Sequence, residues 1–415
     1  MGKKIIVIGG GAAGMCAAVY AARNGADVTI IEKNTQLGKK LSMTGNGRCN
    51  FSNLNMNAGM YNSSAEKRMK GWLSVYGVLD VINFFKSLGI VIKSEDGYLY
   101  PVSGQAQTVV DAFRNELKRL GVKVVYGEQA KSVSVIKGND AENPDNETYS
   151  VVTNLNSYEA ERVIIATGGL SGAKSTMSTG DGYYICKQLG MSIKDTYPAL
   201  VGFKADDCEI MPENGVRCTA EISFLLGTEV VAKEYGELQL TSDGVSGIPV
   251  MQASGKVVRL LQEGKPIFAS INFFPDYDEE DFLSLEKEML RLRDNRSLLE
   301  FLNGFHNSQI NEMVIKRMKM GSTMKMKNIS ESMVISIFDS YRNFKIKLKD
   351  SYGYQKSQVT SGGVSLGDIR DDMTVVSHNG IFVVGELADV DGRCGGYNLQ
   401  WAFTSGSIAG TVASL

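Results

Sequence analysis

The residues best placed to do chemistry begin nine positions into the chain. Gly9-x-Gly11-x-x-Gly14 follows the β-branched run Ile5-Ile6-Val7-Ile8, and Glu32 stands 18 residues past Gly14, after a second apolar run from Val28 to Ile31. This spacing predicts a strand-turn-helix-strand unit over residues 4–33 that cradles a pyrophosphate. Gly9 permits the tight turn, Gly11 lets backbone approach the ligand, and Gly14 lets helix pack on strand. Ala12 and Ala13 open that helix, whose free amides and positive dipole face the phosphates. Glu32 is placed to accept hydrogen bonds from ribose hydroxyls, and its charge repels a 2′-phosphate, so the expected nucleotide is FAD or NAD rather than NADP. The rival reading, a glycine-rich turn without a ligand, is disfavoured because strand, helix and acidic residue all stand at the required distances.

FAD is separated from NAD by whether further segments reach an extended dinucleotide. After Glu32 and Lys33 comes a loop containing Lys40 and then Thr44-Gly45-Asn46-Gly47-Arg48-Cys49-Asn50. Its amides can lie along the cofactor, with Arg48 available for the pyrophosphate or the flavin edge; a plain surface loop is the alternative. Val163-Ile164-Ile165 runs into Ala166-Thr167-Gly168-Gly169, an apolar strand ending in small residues. The pattern returns at Ile381 to Gly385-Glu386, followed by Asp391, Gly396, Tyr397, Asn398 and Leu399 and by a small-residue terminal helix. Parallel strands present ligands at their C-terminal ends, so these segments are expected to converge on one cofactor. The start of the last helix would face the flavin pyrimidine, where negative charge collects on reduction.

Candidates for catalysis itself are weak. Cys49 reads either as a low-pKa thiol beside the flavin or as a buried small hydrophobe, and no second thiol near it in sequence supports dithiol chemistry. Tyr397 is the tyrosine anchored in a cofactor motif, as proton donor or as a structural hydrogen-bonder. The only histidines, His306 and His378, read as structural or solvated. A second strand-G-x-G-x-x-G-helix unit is absent from the sequence, so NAD(P)H, as electron donor, is expected to bind transiently over the flavin without a domain of its own.

The elements that must position these groups are legible in outline. The chain has 415 residues with 45 Gly and only 7 Pro, where about 7% Gly would give roughly 29; the surplus falls mostly in the segments named above. The fold class expected is α/β, a Rossmann-like domain formed by residues 1–197 and 350–415, interrupted by a β-rich, barrel-like insertion at 198–275 and a helical insertion at 276–349. Val109, Phe113, Leu117 and Leu120 mark a helix over 105–120, and residues 131–162 a β-meander with a polar tip at Gly138 to Glu147. Lys+Arg number 44 against 46 Asp+Glu, a net charge of −2, so no global field recruits nucleic acid or anionic membrane. Six scattered cysteines without a C-x-x-C pair imply neither a metal site nor a disulfide framework and fit a cytoplasmic, reducing compartment. Lys3 and Lys4 before an uncharged stretch imitate a secretory signal, but Gly9, Gly10, Gly11 and Gly14 suit a strand-turn-helix instead. Within the helical insertion, Met313, Met318, Met320, Met324, Met326 and Met333 could line an adaptable apolar pocket or simply fill a core. Residues 313–349 also hold nine basic residues, which could receive an anionic tail or form a solvated face.

These motifs in this order resemble the two-dinucleotide-fold flavoproteins, and more closely the BaiN/YhiN-type family of bacterial FAD-binding oxidoreductases. Besides the segments above, Ser178-Thr179-Gly180-Asp181-Gly182, Thr360-Ser361-Gly362-Gly363-Val364 and Gly395-Gly396-Tyr397-Asn398-Leu399-Gln400-Trp401-Ala402 carry the likeness. The resemblance implies non-covalent FAD with contacts at Glu32, Lys33, Lys40, Arg48, Asn50, Ala130, Gly168, Asp391, Asn398 and Leu399. It departs at one point: Ser242 stands where the family carries His, and Pro249 is displaced by one residue. The activity it implies is NAD(P)H-driven hydride transfer from flavin N5 to an activated C=C of a bulky small-molecule substrate such as a 3-oxo-Δ4 steroid or bile-acid intermediate. Amine oxidation, RNA modification through the basic stretch, and non-catalytic flavin binding are the rival expectations; no membrane partner is expected.

Overall fold

The computed structural model describes residues 2–62, 64–136 and 147–415; most of the expected hairpin tip, residues 138–146, lies outside them. The chain divides into two compact units, Met1–Tyr197 with Gln358–Leu415, and Pro198–Ser357.

The first unit is built on a six-stranded sheet with the order Thr374–Val375, His378–Val383, Arg162–Ile165, Lys4–Ile8, Asp27–Glu32, Lys123–Tyr126. All neighbours are parallel except the first pair. Parallel strands need both faces covered, which is why Ile5 to Ile8, Val163 to Ile165 and Ile381 to Val383 are continuous apolar runs, all buried. The register sets Ile8 beside Ile31 and Ile165, so three strands end in line. The stretch that imitates a signal sequence is the central strand and the Ala12–Arg23 helix.

That helix packs against the terminal helix Tyr397–Ala413 along small residues. A Cβ on Gly410 would lie 2.3 Å from the Ala17 carbonyl oxygen, and one on Gly406 would lie 2.5 Å from that of Ala13. Because both helices follow strands that run the same way, both begin at the C-terminal edge of the sheet. The helix expected over 105–120 spans Ala106–Arg119, with Val109, Val110, Phe113 and Leu117 buried. The expected meander is the antiparallel sheet Ala130–Ile136, Thr148–Thr153, Ser157–Ala160.

The second unit holds a closed antiparallel barrel ordered Phe203–Ala205, Gly244–Gly247, Glu229–Thr241, Val216–Leu226, Ile267–Asn272, Phe344–Ser351. Helices Glu279–Arg291, Leu298–Leu302, Ser308–Arg317 and Glu331–Arg342 follow the fifth strand. Asp278 caps the first of them by accepting from the Asp281 amide at 2.8 Å. One boundary differs from expectation. Phe344–Ser351, read with the helical insertion, is the strand that closes the barrel, because Phe344, Ile346 and Leu348 alternate inward while Lys345, Lys347 and Lys349 face out. The chain accordingly returns to the first unit at Gln358 rather than at residue 350.

Candidate functional site

The line of strand ends carries the glycine turn. Gly9 has φ +102°, and a Cβ there would meet the Ala166 carbonyl oxygen at 2.6 Å, so only glycine lets the first strand turn this close to its neighbour. A Cβ on Gly14 would lie 2.0 Å from the Gly9 carbonyl oxygen. Gly11 is the opposite case: its backbone is extended, with φ −79° and ψ −170°, and a Cβ would meet nothing within 4 Å. Open space above this turn, at a helix start with no side-chain cap and no acidic residue in its first turn, is where a diphosphate fits. The terminal helix also starts uncapped, behind Gly396 at φ +93° and again without an acid in its first turn.

Glu32 is buried at 6% exposure. Its carboxylate accepts from the Gly10 amide, the Asn34 amide and the Asn34 side chain, all at 2.7 Å. It thus braces the glycine turn. The Glu128 amide donates to the Glu32 carbonyl at 3.2 Å, which brings buried Ala130 to this edge. Lys33 pairs with Asp181 at 2.6 Å and donates to Thr179 at 2.9 Å, tying the second strand to the Ser178–Gly182 segment.

Glu386 joins four segments. One oxygen meets Lys40 Nζ at 2.5 Å, and the other accepts from the Thr360 amide at 2.8 Å. The Thr360 hydroxyl in turn accepts from the Leu170 amide at 2.8 Å, just past Gly168. Gly385 is held from the terminal helix: Trp401 Nε1 donates to its carbonyl at 2.9 Å, and its amide donates to the Ser405 hydroxyl at 2.9 Å. Ala13 lies against Gly385, since a Cβ there would be 2.9 Å from that of Ala13. Thr167 is equally tight, with its hydroxyl 2.0 Å from where Gly182 would carry a Cβ.

Asp391 accepts from Asn62 Nδ2 at 2.6 Å, and Asn398 closes its own loop by accepting from the Gly392 amide at 2.8 Å and donating to the Gly392 carbonyl at 2.9 Å. Asn50 donates to the Ser52 carbonyl at 2.8 Å and accepts from the Gly396 amide at 3.3 Å. Leu399 is half-buried against the core. Asn50 and Asn398 therefore shape the loop that precedes the terminal helix.

The loop expected to lie along the cofactor is helical in short pieces, Leu41–Met43 and Thr44–Gly47, with Gly45 and Asn46 left-handed. The Thr44 carbonyl accepts from the Cys49 amide at 2.9 Å. Arg48 is engaged elsewhere, pairing with Glu95 at 2.5 Å and covering the Tyr100 ring, with its guanidinium carbon 4.3 Å from the ring centre. Cys49 is fully buried, which pushes its thiol up to about 12 and favours the buried-hydrophobe reading over the reactive one. Tyr397 is buried beside Tyr61, whose hydroxyl donates to the Tyr397 carbonyl at 3.0 Å. Burial, and Tyr98 nearby, raise its phenol above the usual tyrosine range, so it stays protonated at neutral pH.

The histidines stand apart from this work. His306 packs on Phe273 and Phe274 in the second unit, where burial lowers its pKa; His378 Nε2 lies 3.3 Å from the Leu189 carbonyl. The methionines do not form one lining: Met313 and Met326 are core, whereas Met324 and Met333 are exposed. Among the described residues no group of three or more His, Cys, Asp or Glu could hold a metal ion, and no helix is long and apolar enough to cross a membrane. Thr360 lies in the Thr360–Val364 segment that the sequence marks, whereas Asn34 and Ser405 carry no motif that singles them out.

The chain matches the HI0933-like protein Rossmann domain over residues 3–412. It belongs to this family. The HI0933-like family is one of FAD-dependent Rossmann oxidoreductases, and the open diphosphate turn, two uncapped helix starts and buried Glu32 fit FAD. The chain is 32% identical to a 3-dehydro-bile acid delta(4,6)-reductase of Clostridium scindens, over 99% of each chain. It is 30% identical to a ribosomal RNA dihydrouridine synthase of Escherichia coli, over 96% of this chain and 95% of that one, and 27% identical to that of Haemophilus influenzae, over 96% of each. The fold is shared with a 3-ketosteroid-delta4-(5alpha)-dehydrogenase of Rhodococcus jostii, at a TM-score of 0.53 and 14% identity, over 100% of this chain and 97% of that one. Within this HI0933-like fold, both chain ends form the unit that carries the glycine turn and the two uncapped helix starts.

Proposed function

We propose that this HI0933-like protein reduces a C=C bond conjugated to a carbonyl, with NAD(P)H as the source of electrons. The observation that carries the reading is that relatives matched end to end differ in substrate and share the kind of bond. The Δ4,6 bonds of a 3-oxo steroid are conjugated to its ketone, and dihydrouridine is uridine with hydrogen added across C5–C6, conjugated to C4=O. FAD, when bound, supplies hydride chemistry at such a β-carbon.

The chain's own residues bind, orient and protonate. The amides at Ala12 and Ala13 hold the diphosphate, and Glu32 holds the ribose while keeping the Gly10 turn closed. The Lys40–Glu386–Thr360 chain locks the surrounding segments in one geometry. Tyr397, protonated across the neutral range, is the proton donor to the α-carbon. The split methionine cluster removes one support for a bulky apolar pocket.

The test is anaerobic reduction of the holoprotein by NADH and by NADPH, then reoxidation by a 3-oxo-4,6-diene steroid, a uridine-containing RNA, a primary amine with O₂, and O₂ alone. Reoxidation by the steroid or the RNA, with two hydrogens gained by the product, is the expected result. Turnover with the amine, releasing peroxide, and with neither conjugated substrate would overturn the reading.

A further inference from the structure

We propose that the outer face of the barrel strand Phe344–Ser351, with the end of the Ser308–Arg317 helix beside it, docks the phosphate backbone of an RNA. The inference rests on the uridine arm of the proposed function and names the surface that such a substrate would meet.

The strand reads Phe-Lys-Ile-Lys-Leu-Lys-Asp-Ser, and its alternation sends Phe344, Ile346 and Leu348 into the barrel and Lys345, Lys347 and Lys349 out. Residues two apart on a strand stand about 6.8 Å apart, comparable to successive phosphates of one strand; Lys345 and Lys347 keep this step, and Lys349 follows at the register shift opposite Lys204 and Ala205, so all three lie exposed on one stretch of the wall. The row is widened on both sides. Lys204, exposed on the neighbouring strand, pairs in register with Asp350. Arg317 donates to the Lys345 carbonyl and lies over the Phe344 ring, which places exposed Lys316 and Lys319 at the row's other flank.

Acidic residues are present and set a limit. Asp206 pairs with Lys347 at 2.7 Å, Asp207 lies 3.7 Å from Arg317, and Glu209 and Asp350 are exposed nearby. Glu312 stands one helical turn before Lys316. Seven basic residues stand against these five acids, a local excess in a chain whose net charge is −2, so this face attracts a polyanion more than the overall charge implies. An anionic lipid surface is the less suitable partner, because Lys345, Lys347 and Lys349 stand on a barrel strand rather than on an amphipathic helix that could insert.

The test uses the full-length holoprotein and a fluorescein-labelled RNA hairpin with a uridine-containing loop. Anisotropy titrations run from low to moderate salt. The variant Lys316→Gln/Lys345→Gln/Lys349→Gln removes three of the five lysines of this face that make no ion pair among the described residues and leaves Lys347 and Arg317 in place. Each lost phosphate contact lowers the log–log salt slope by about 0.7 to 0.9, so the slope should fall by about 2 units, with unchanged flavin content and spectrum. A control with Lys67, Lys70 and Lys123 changed to Gln should bind as the parent does. No binding by the parent at low salt, an unchanged slope in the triple variant, or an equal loss in the control would overturn the surface. So would equal, lysine-dependent capture by phosphatidylserine vesicles without RNA binding. RNA binding through this face without uridine reduction would leave the surface standing and remove the uridine arm of the proposed function; uridine reduction with undiminished binding by the triple variant would do the reverse.

Discussion

Gly11→Ala separates cofactor binding from folding. At the Gly11 position φ is −79° and ψ −170°, ordinary for any residue, and a Cβ has nothing within 4 Å. Two small effects then oppose each other in the flavin-free fold. Alanine restricts the unfolded chain, worth about 0.4–1 kcal/mol in favour, and it is the poorer residue at a helix N-cap by a comparable amount. The net change in stability should stay within about 0.5 kcal/mol. The bound state should differ: a diphosphate held at this turn would take the open volume, and displacing it would lose two amide-to-phosphate hydrogen bonds. At about 1.5–3 kcal/mol each for bonds to a charged group, that is roughly 3–6 kcal/mol, or about 10²–10⁴ in FAD affinity. Gly14→Ala is the comparison: its Cβ would sit 2.0 Å from the Gly9 carbonyl oxygen, so the turn itself must shift and stability falls by about 1–3 kcal/mol along with binding. Urea unfolding of flavin-free protein and fluorescence titration with FAD read the two quantities separately. A Gly11→Ala protein that binds FAD as tightly as the parent would refute the placement of the diphosphate at this turn.

Tyr397→Phe should lower turnover about 10²-fold or more while leaving flavin reduction by NAD(P)H unchanged, since a proton donor acts in the second half-reaction only; stopped-flow traces of both halves decide it. With the phenol raised above its usual range, the reoxidation rate of the parent should show no loss from Tyr397 ionisation between pH 6 and 9. Iodoacetamide at pH 8 should leave Cys49 unmodified in the folded protein and label it after unfolding, as mass spectrometry of the peptide would show, because burial holds the thiol near 12. Glu116 is held down to about 2, chiefly by the Arg119 hydrogen bond with Arg23 also contributing. A depressed folded-state pKa stabilises above the unfolded value and is lost as pH falls through the folded one, so the parent should lose stability between about pH 5 and 2 more steeply than Glu116→Gln.

The parts legible in sequence are those whose geometry is local. Gly9, Gly11, Gly14 and Glu32 lie within one βαβ unit, and the runs ending at Ile165 and Val383 announce buried parallel strands by their length and by the small residues that follow. Arg48 pairs with Glu95, on the Ile92–Glu95 strand, and no local spacing reports that pairing. Asn50 and Asn398 sit at the expected place, but their amides serve backbone in the Gly392–Gly396 loop. The strand Phe344–Ser351 carries a clear period-two signal, yet its lysines read as plain charge unless the alternation between them is followed.

Closure of the two chain ends explains why the glycine surplus extends beyond the nucleotide turn. Asn24 donates to Ser414 at 3.0 Å across 390 residues, and the first and last helices cross where Gly406 and Gly410 admit the Ala13 and Ala17 carbonyls. Drawing such distant segments together costs about 5 kcal/mol as a flexible loop, since the penalty grows only with the logarithm of length. The intervening Pro198–Ser357 unit folds compactly, which shortens the effective loop below that figure. The close helix contact must offset what remains, and a methyl at Gly410 would prevent it. Gly385, set beside Ala13 by the end of the His378–Val383 strand, is held from the last helix by Trp401 and Ser405, so strand end and helix fix it together. The same small residues that let the chain ends meet therefore set the spacing between the two uncapped helix starts.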